Sequence, residues 1–227
     1  EIFIKRYPSG MLSEDAFQNL ISIGNQVFDE VIAHPGIRAF WWPRFERIAR
    51  WFVDFENNRR INNISPIAIE AKGSLNLFVD GVAFNLTARI DRIDCCPGGG
   101  IIIVDYKTGG LPSSKQVESG LSPQLLLEAL IAGEGGVKGI VSKKVEKLEY
   151  IRLSGGLVPG EVRPLIFNLE KVASETLEGL HRLISKFNCL ETPYLSRPRP
   201  QFKSRFGRYD HLARVKEWSH GSLGEDL

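Results

Sequence analysis

The sequence predicts an α/β fold of the α+β kind, a central sheet flanked by helices, and three observations carry that expectation. Apolar residues recur at helical spacing over the first sixty positions. The period then changes to that of strands between Ile67 and Asp105, and helical spacing returns from Gln124 onward.

Taken in order, Ser13 is expected to cap a helix whose first turn holds Glu14 and Asp15, with Phe17, Leu20, Ile21, Phe28, Val31 and Ile32 on its inner face. Pro35 and Gly36 are expected to break it. A second helix follows, with Trp41, Trp42, Phe45, Ile48, Phe52 and Phe55 on one stripe read as core, and Arg44, Arg47, Arg50, Arg59 and Arg60 off that stripe. Ser74 to Val79 and Val82 to Ile90 read as strands joined by Asp80-Gly81, a favoured two-residue hairpin turn. The turn Pro97-Gly98-Gly99-Gly100 leads to a third strand, Ile101 to Val104, whose unbroken apolar run predicts burial on both faces. The three make an antiparallel meander. After a loop rich in Gly, Ser and Lys, Ser122-Pro123 starts a helix through Gln124, Leu126, Leu127 and Leu130, which ends in the glycines of GEGGVKG. Val145 to Leu153 read as a further strand. A long amphipathic helix begins near Asn168, with Leu169, Val172, Thr176, Leu177, Leu180, Ile184 and Phe187 facing the core.

The 227 residues are 43% apolar and 25% charged, which predicts a soluble globular protein of one domain, or one domain plus appendages. Formal net charge is only +2, so affinity for a polyanion has to come from where the positive charges lie. Cys95, Cys96 and Cys189 fit neither a disulfide framework nor a zinc spacing and read as reduced thiols in a cytoplasmic protein. No apolar run is long enough to span a bilayer, and no charged-then-apolar leader opens the chain. The first residue is Glu1 rather than a methionine, which suggests a segment of a longer protein.

The chemistry concentrates at two aspartates. Asp91 and Asp105 are read as lying at the ends of neighbouring strands, and Lys107 follows Asp105 by two residues, so the alternation of a strand points both to one face. Two carboxylates sharing a divalent ion form a hard oxygen site suited to Mg²⁺ or Mn²⁺, which keeps waters and takes up phosphate oxygens. Lys107 would orient a water or neutralise charge on the phosphorane. Glu70 in IAIEAKG is a candidate further carboxylate, and Gln124 is placed to hold Lys107 or a phosphate. Singly these residues have ordinary readings: an Asp-x-Lys on a strand is commonly a surface ion pair, RIDRID reads as an exposed strand of alternating charge, and Glu70 as solvated. The order is what distinguishes them, a Glu, then an Asp fourteen residues before an Asp-x-Lys, then a Gln just inside a helix.

The run ARIDRIDCCPGGGIIIVDYKTGG followed by SPQLLLEAL resembles the core of the RecB-like group of the PD-(D/E)XK nuclease superfamily. The flanking FWWPRFERIARWF and RPRPQFKSRFGRYDHLARVKEWS are similar to the C-terminal nuclease domains of its AddB branch, subunits of the AddAB helicase-nuclease. The resemblance implies a restriction-endonuclease-like core with a central mixed sheet flanked by helices. Residues 1–60 form a helical segment ahead of a nuclease core at 61–192, and a basic tail follows at 193–227. It also implies Mg²⁺ or Mn²⁺ held by Asp91 and Asp105, the catalytic lysine at Lys107, and the Gln-motif residue at Gln124, with Glu70 in support. Two departures stand out. The place where the motif often carries Tyr is Glu128, and none of His34, His181, His211 or His220 sits where many relatives carry a metal-binding His. Three cysteines cannot supply the four ligands of the iron-sulfur cluster found in some AddB proteins, so no cluster is expected.

The function implied is a metal-dependent DNA nuclease, expected to be an exonuclease, in a helicase-nuclease complex that acts in double-strand break repair and recombination. Its partners would be DNA, as single strands delivered by a helicase, and an AddA-like subunit, with no membrane. Two alternatives remain open at this stage: a nuclease-like fold without catalysis that grips DNA or scaffolds a helicase, and a free-standing nuclease of the CRISPR-adaptation type.

The tail supplies the positive charge. Between Arg197 and Lys216 seven basic residues face the single acid Asp210, with Phe202, Phe206 and Tyr209 interleaved, so Lys203, Arg205 and Arg208 are candidate phosphate contacts beside rings on which bases stack. The other reading packs the rings onto protein and leaves the charges solvated. Replacing Lys203, Arg205 and Arg208 together with alanine should flatten the slope of log affinity for single-stranded DNA against log salt by roughly two to three units. Matching slopes across a salt series would show that the tail does not grip DNA.

Overall fold

The sheet is built around one strand that has no exposed face. In a computed structural model describing residues 1–31 and 35–195, the helices α1 (Ile2–Arg6), α2 (Ala16–Val31) and α3 (Pro35–Ile61) precede β1 (Ser65–Val79), β2 (Val82–Cys95) and β3 (Ile101–Lys107). Then come α4 (Ser114–Glu118), α5 (Gln124–Gly133), β4 (Val145–Leu153), β5 (Gly160–Pro164) and α6 (Leu169–Asn188). The strands form one sheet in the order β1-β2-β3-β4-β5, antiparallel throughout except for the parallel pair β3–β4, so the sheet is mixed and helices flank it. A parallel pair needs a crossover, and the segment carrying α4 and α5 provides it.

Ile101, Ile102, Ile103 and Val104 in β3 are all buried, as the apolar run predicts. Ile101 and Ile103 join α5 residues Leu125, Leu126 and Ala129 in the larger core, while Ile102 and Val104 pack with Phe55 and Trp51 of α3 on the opposite face. The β1–β2 hairpin closes through Asp80 and Gly81, both at positive φ, as such a two-residue turn demands. Its outer part is covered by α6, where Leu177, Leu180 and Ile184 meet Leu75, Leu77 and Val79. Two glycines allow close helix contacts. A Cβ on Gly24 of α2 would collide with the Phe45 ring, and one on Gly160 of β5 with the Trp51 ring, both rings belonging to α3. Glu1–Ile184 make one compact unit and a second begins at Ser185, within which Phe187 stacks on Tyr194 at 4.8 Å. Among the described residues no helix is long and apolar enough to cross a membrane.

Several local expectations are corrected. The helix expected from Ser13 begins at Ala16, because the Ser13 hydroxyl is engaged by the Asp15 side chain and by Tyr7. That helix, α2, ends at Val31, before Pro35, and Pro35 itself opens α3, since a helix's first turn tolerates proline. Pro123 is the N-cap of α5, so that helix starts at Ser122-Pro123 as expected. The polar loop contains α4, capped by a reciprocal Ser113–Gln116 box, and β5 was not anticipated. Trp41 of the aromatic stripe is 47% exposed, as is its neighbour Phe40 at 57%; Arg44 lies over both rings.

The largest correction concerns charge. RIDRID is not an exposed strand, because Arg92 and Asp94 are fully buried, and Glu56, Arg59 and Arg60 of α3 are buried with them. Arg92 pairs with Glu56 and, at 2.6 Å, with Asp94; Arg59 reaches Asp94 at 2.5 Å and Glu149 of β4 at 2.7 Å. Arg60 is near Glu56 and donates to the Tyr7 and Gly10 carbonyls, tying the N-terminal segment down. Removing one partner strands the others without compensation, so Glu56→Ala should cost about 3–5 kcal/mol in urea unfolding. Glu178→Ala, at the exposed pair with Arg182, should leave the midpoint unchanged.

Candidate active site

At the C-terminal end of β3 the alternation of the strand turns Asp105 and Lys107 toward α5, on the side of Ile101 and Ile103. Lys107 Nζ donates to Asp105 Oδ1 at 2.8 Å and lies 2.7 Å from Oδ2. From the first turn of α5 the Gln124 amide nitrogen donates to Asp105 Oδ1 at 2.7 Å, and its oxygen accepts from Lys107 Nζ at 3.2 Å. Three of the expected residues are therefore in direct contact.

Asp91 arrives from the neighbouring strand. The β2–β3 register runs from Cys95↔Ile101 to Arg92↔Val104, so Asp91 comes opposite Asp105 just where the ladder stops. It lies inside β2 rather than at its end, because β2 continues to Cys95 and runs antiparallel to β3. Asp91 Oδ2 accepts the Tyr106 backbone N–H at 2.9 Å, capping the point where the strands part.

Glu70 occupies an unusual position. The pairs Ile69↔Arg92 and Ala71↔Ile90 place it across from Asp91, and its φ is +52°, a left-handed conformation uncommon for a residue with a side chain. Side-chain alternation slips at this point on both strands. Ala68 and Ala71 of β1, and Ile90 and Ile93 of β2, all face the larger core although each pair is three residues apart. The Glu70 carboxylate pairs with Arg89 at 2.6 Å.

A further acid belongs here that sequence reasoning noted only as a departure. Glu128, one turn below Gln124 on α5, accepts from the Gln124 amide nitrogen at 3.0 Å through Oε1, and its Oε2 is buried without a hydrogen-bond partner. Helical spacing of four residues was the signal that could have found it. Burial pushes its carboxyl up to about 7, the Gln124 bond opposing and the charges of Asp105 and Asp91 adding. Burial likewise raises Asp105 above its ordinary value, against the pull of Lys107 and with the push of Asp91. The Tyr150 hydroxyl beside them rises to about 12, chiefly through burial, with Asp105 and Glu128 adding.

Among the described residues no three of His, Cys, Asp and Glu gather closely enough to enclose an ion unaided. The residues nonetheless fit a hard divalent cation that keeps its waters. Asp91 and Asp105 bring like charge together beside a single ammonium, and Asp105 Oδ2 is buried without a hydrogen-bond partner, 2.7 Å from Lys107 Nζ. Lys203, Arg205 and Arg208 lie outside the described residues, as do His34, His211 and His220; Cys95, Cys96 and Cys189 are free thiols.

With this geometry in view, a family model for the PD-(D/E)XK nuclease superfamily matches residues 4–200. An uncharacterized protein of Rickettsia bellii (strain RML369-C) is 36% identical over 122 residues, 54% of this chain and 14% of its own length. A second, from Rickettsia typhi (strain ATCC VR-144 / Wilmington), is 33% identical over 136 residues, 59% of this chain and 16% of its own. The chain thus spans only a small part of these relatives. The crystal structure of SSO0001 superposes with a TM-score of 0.35 at 13% identity, covering 89% of this chain and 94% of that one.

The elevated Glu128 carboxyl carries a pH signature. Unfolded, it titrates near its ordinary 4.5, and folded near 7, so between these values the unfolded chain binds fewer protons. Its contribution to stability is complete below about 4.5 and is lost as pH rises through about 7. In EDTA, urea unfolding from pH 4 to 8 should show that decline, and Glu128→Gln should remove this part of the slope.

Proposed function

The chain belongs to the PD-(D/E)XK nuclease superfamily, and from that premise we propose that it is a Mg²⁺- or Mn²⁺-dependent deoxyribonuclease that hydrolyses phosphodiester bonds. The observation that supports this most is the contact of Asp105, Lys107 and Gln124 beside Asp91 at the end of β3. Asp91 and Asp105 are the residues that would hold the ion, with Glu70 across the ladder in support. When bound, a divalent ion polarises a phosphate, lowers the pKa of a water and steadies the leaving oxygen. Lys107, already oriented by Asp105 and Gln124, holds the attacking water by hydrogen bonding and balances charge on the pentacoordinate phosphorus. Gln124 keeps the ammonium from swinging into solvent. Burial of Asp105 beneath Lys107 strengthens each of these attractions by excluding water.

The wider setting in this reading is an exonuclease within a helicase-nuclease complex for double-strand break repair. Single strands would be fed by an AddA-like motor and gripped by Lys203, Arg205 and Arg208. The similarity of the aromatic helix and the basic tail to the AddB branch supports it.

Cleavage of single-stranded and duplex DNA should appear with Mg²⁺ or Mn²⁺ and vanish in EDTA. Asp105→Asn and Lys107→Ala should each lower kcat/KM by about 100- to 1,000-fold while leaving the fold's circular dichroism intact. Full activity in either variant would remove that residue from the mechanism, and no cleavage by the unaltered chain with either ion would sink the reading.

A further inference from the structure

Glu128 is costly where it stands. It is 3% exposed on the face of α5 that carries Leu125, Leu126, Ala129 and Ile131, and one carboxyl oxygen has no partner. An apolar side chain of similar volume would pack there without that penalty. Buried polar groups that break the local packing rule in this way tend to serve a site.

What it touches shows the service. Gln124 is exposed, sits in the first turn of α5 and has three rotatable bonds, yet its amide must present nitrogen to Asp105 and oxygen to Lys107 at once. The 3.2 Å bond to Lys107 is long, leaving the Asp105 bond alone to fix the amide plane. Glu128 Oε1, one helical turn away, takes the second amide hydrogen. Both N–H bonds then end on acids, and the carbonyl is left for the ammonium. We propose that Glu128 is a positioning residue, anchoring the Gln124 amide so that Gln124 in turn holds Lys107 against Asp105. An acceptor oxygen is all the role requires, so it survives protonation of the carboxyl, a state that burial favours.

The activity arm of the test rests on the nuclease reading above; two other arms do not. Glu128→Leu keeps volume and removes the acceptor, and Glu128→Gln keeps an acceptor and removes the charge. In the 227-residue chain, the side-chain amide resonances of Gln124, identified by their loss in Gln124→Glu, should move upfield and exchange faster in Glu128→Leu, and stay close to the parent in Glu128→Gln. The thermal midpoint of Glu128→Leu should rise by about 2–5 °C. Its kcat should fall about tenfold with KM for DNA within about twofold, while Glu128→Gln keeps at least half of the parent kcat. Three results would overturn the proposal. They are an unmoved Gln124 amide in Glu128→Leu, a loss of stability in parallel with activity, or Glu128→Gln behaving like Glu128→Leu. If the unaltered chain cleaves nothing, the nuclease reading fails, and the amide and melting measurements still decide the role of Glu128.

Discussion

The fold turns on an arginine that sees no water. Arg92 lies three residues before the end of β2, and a guanidinium cannot lose its protons, so its burial is tolerable only because Glu56 and Asp94 face it and the Tyr106 hydroxyl accepts from it at 3.0 Å. Those partners come from a helix, from the same strand and from the neighbouring strand. Meeting the needs of one side chain therefore fixes α3 on the sheet and ties β2 to β3. The same demand holds Tyr106, whose backbone N–H is the donor that Asp91 accepts. A charge cluster on one face of the sheet thus orients a carboxylate at the edge of the site.

Topology supplies the remainder. Because β3 and β4 are parallel, the chain must cross over between them, and α5 lies on that crossover above the β3 residues facing the larger core. Asp105 and Lys107 share the face of Ile101 and Ile103, so the first turn of α5 comes down on them and delivers Gln124, with Glu128 one turn further along. On the other side, β1 and β2 slip their alternation together at Glu70 and Asp91. A slip confined to one strand would turn its side chains away from the core its partner faces; made on both, it keeps the two strands in register. The left-handed conformation at Glu70 is the local cost of that device.

Much of this was legible in the residues, and the reasons differ from case to case. Lys107 could be placed beside Asp105 because a strand has a period of two, and β3 was recognisable as doubly buried from four consecutive branched apolar residues. Gln124 followed from its place at the start of a helix. The hidden charges of RIDRID were not legible, since alternating arginines and aspartates look solvated until a second charged element, here Glu56 and Arg59, is known to lie over them. Glu128 was visible as a departure but not as a member of the site, because its role depends on how deeply α5 sinks into the core. The exposure of Phe40 and Trp41 could not be foreseen either, for helical spacing gives a stripe and not what covers it.

The two charged assemblies on opposite faces of the sheet obey different arithmetic. Around Arg92 three cations, Arg59, Arg60 and Arg92, meet three acids, Glu56, Asp94 and Glu149, so the cluster is balanced. Around Asp105 three acids meet one lysine, and the carboxyls of Asp105 and Glu128 are raised, chiefly by burial, with the charge of Asp91 adding to both. A balanced cluster resists rearrangement, because every partner lost exposes another to an apolar core. An unbalanced one is held together only by its surroundings and is relieved by whatever positive charge enters it. Tyr106 stands between them, its hydroxyl in the balanced cluster and its amide on the unbalanced one, so the balanced side holds the strand from which the other side's Asp91 takes its hydrogen bond.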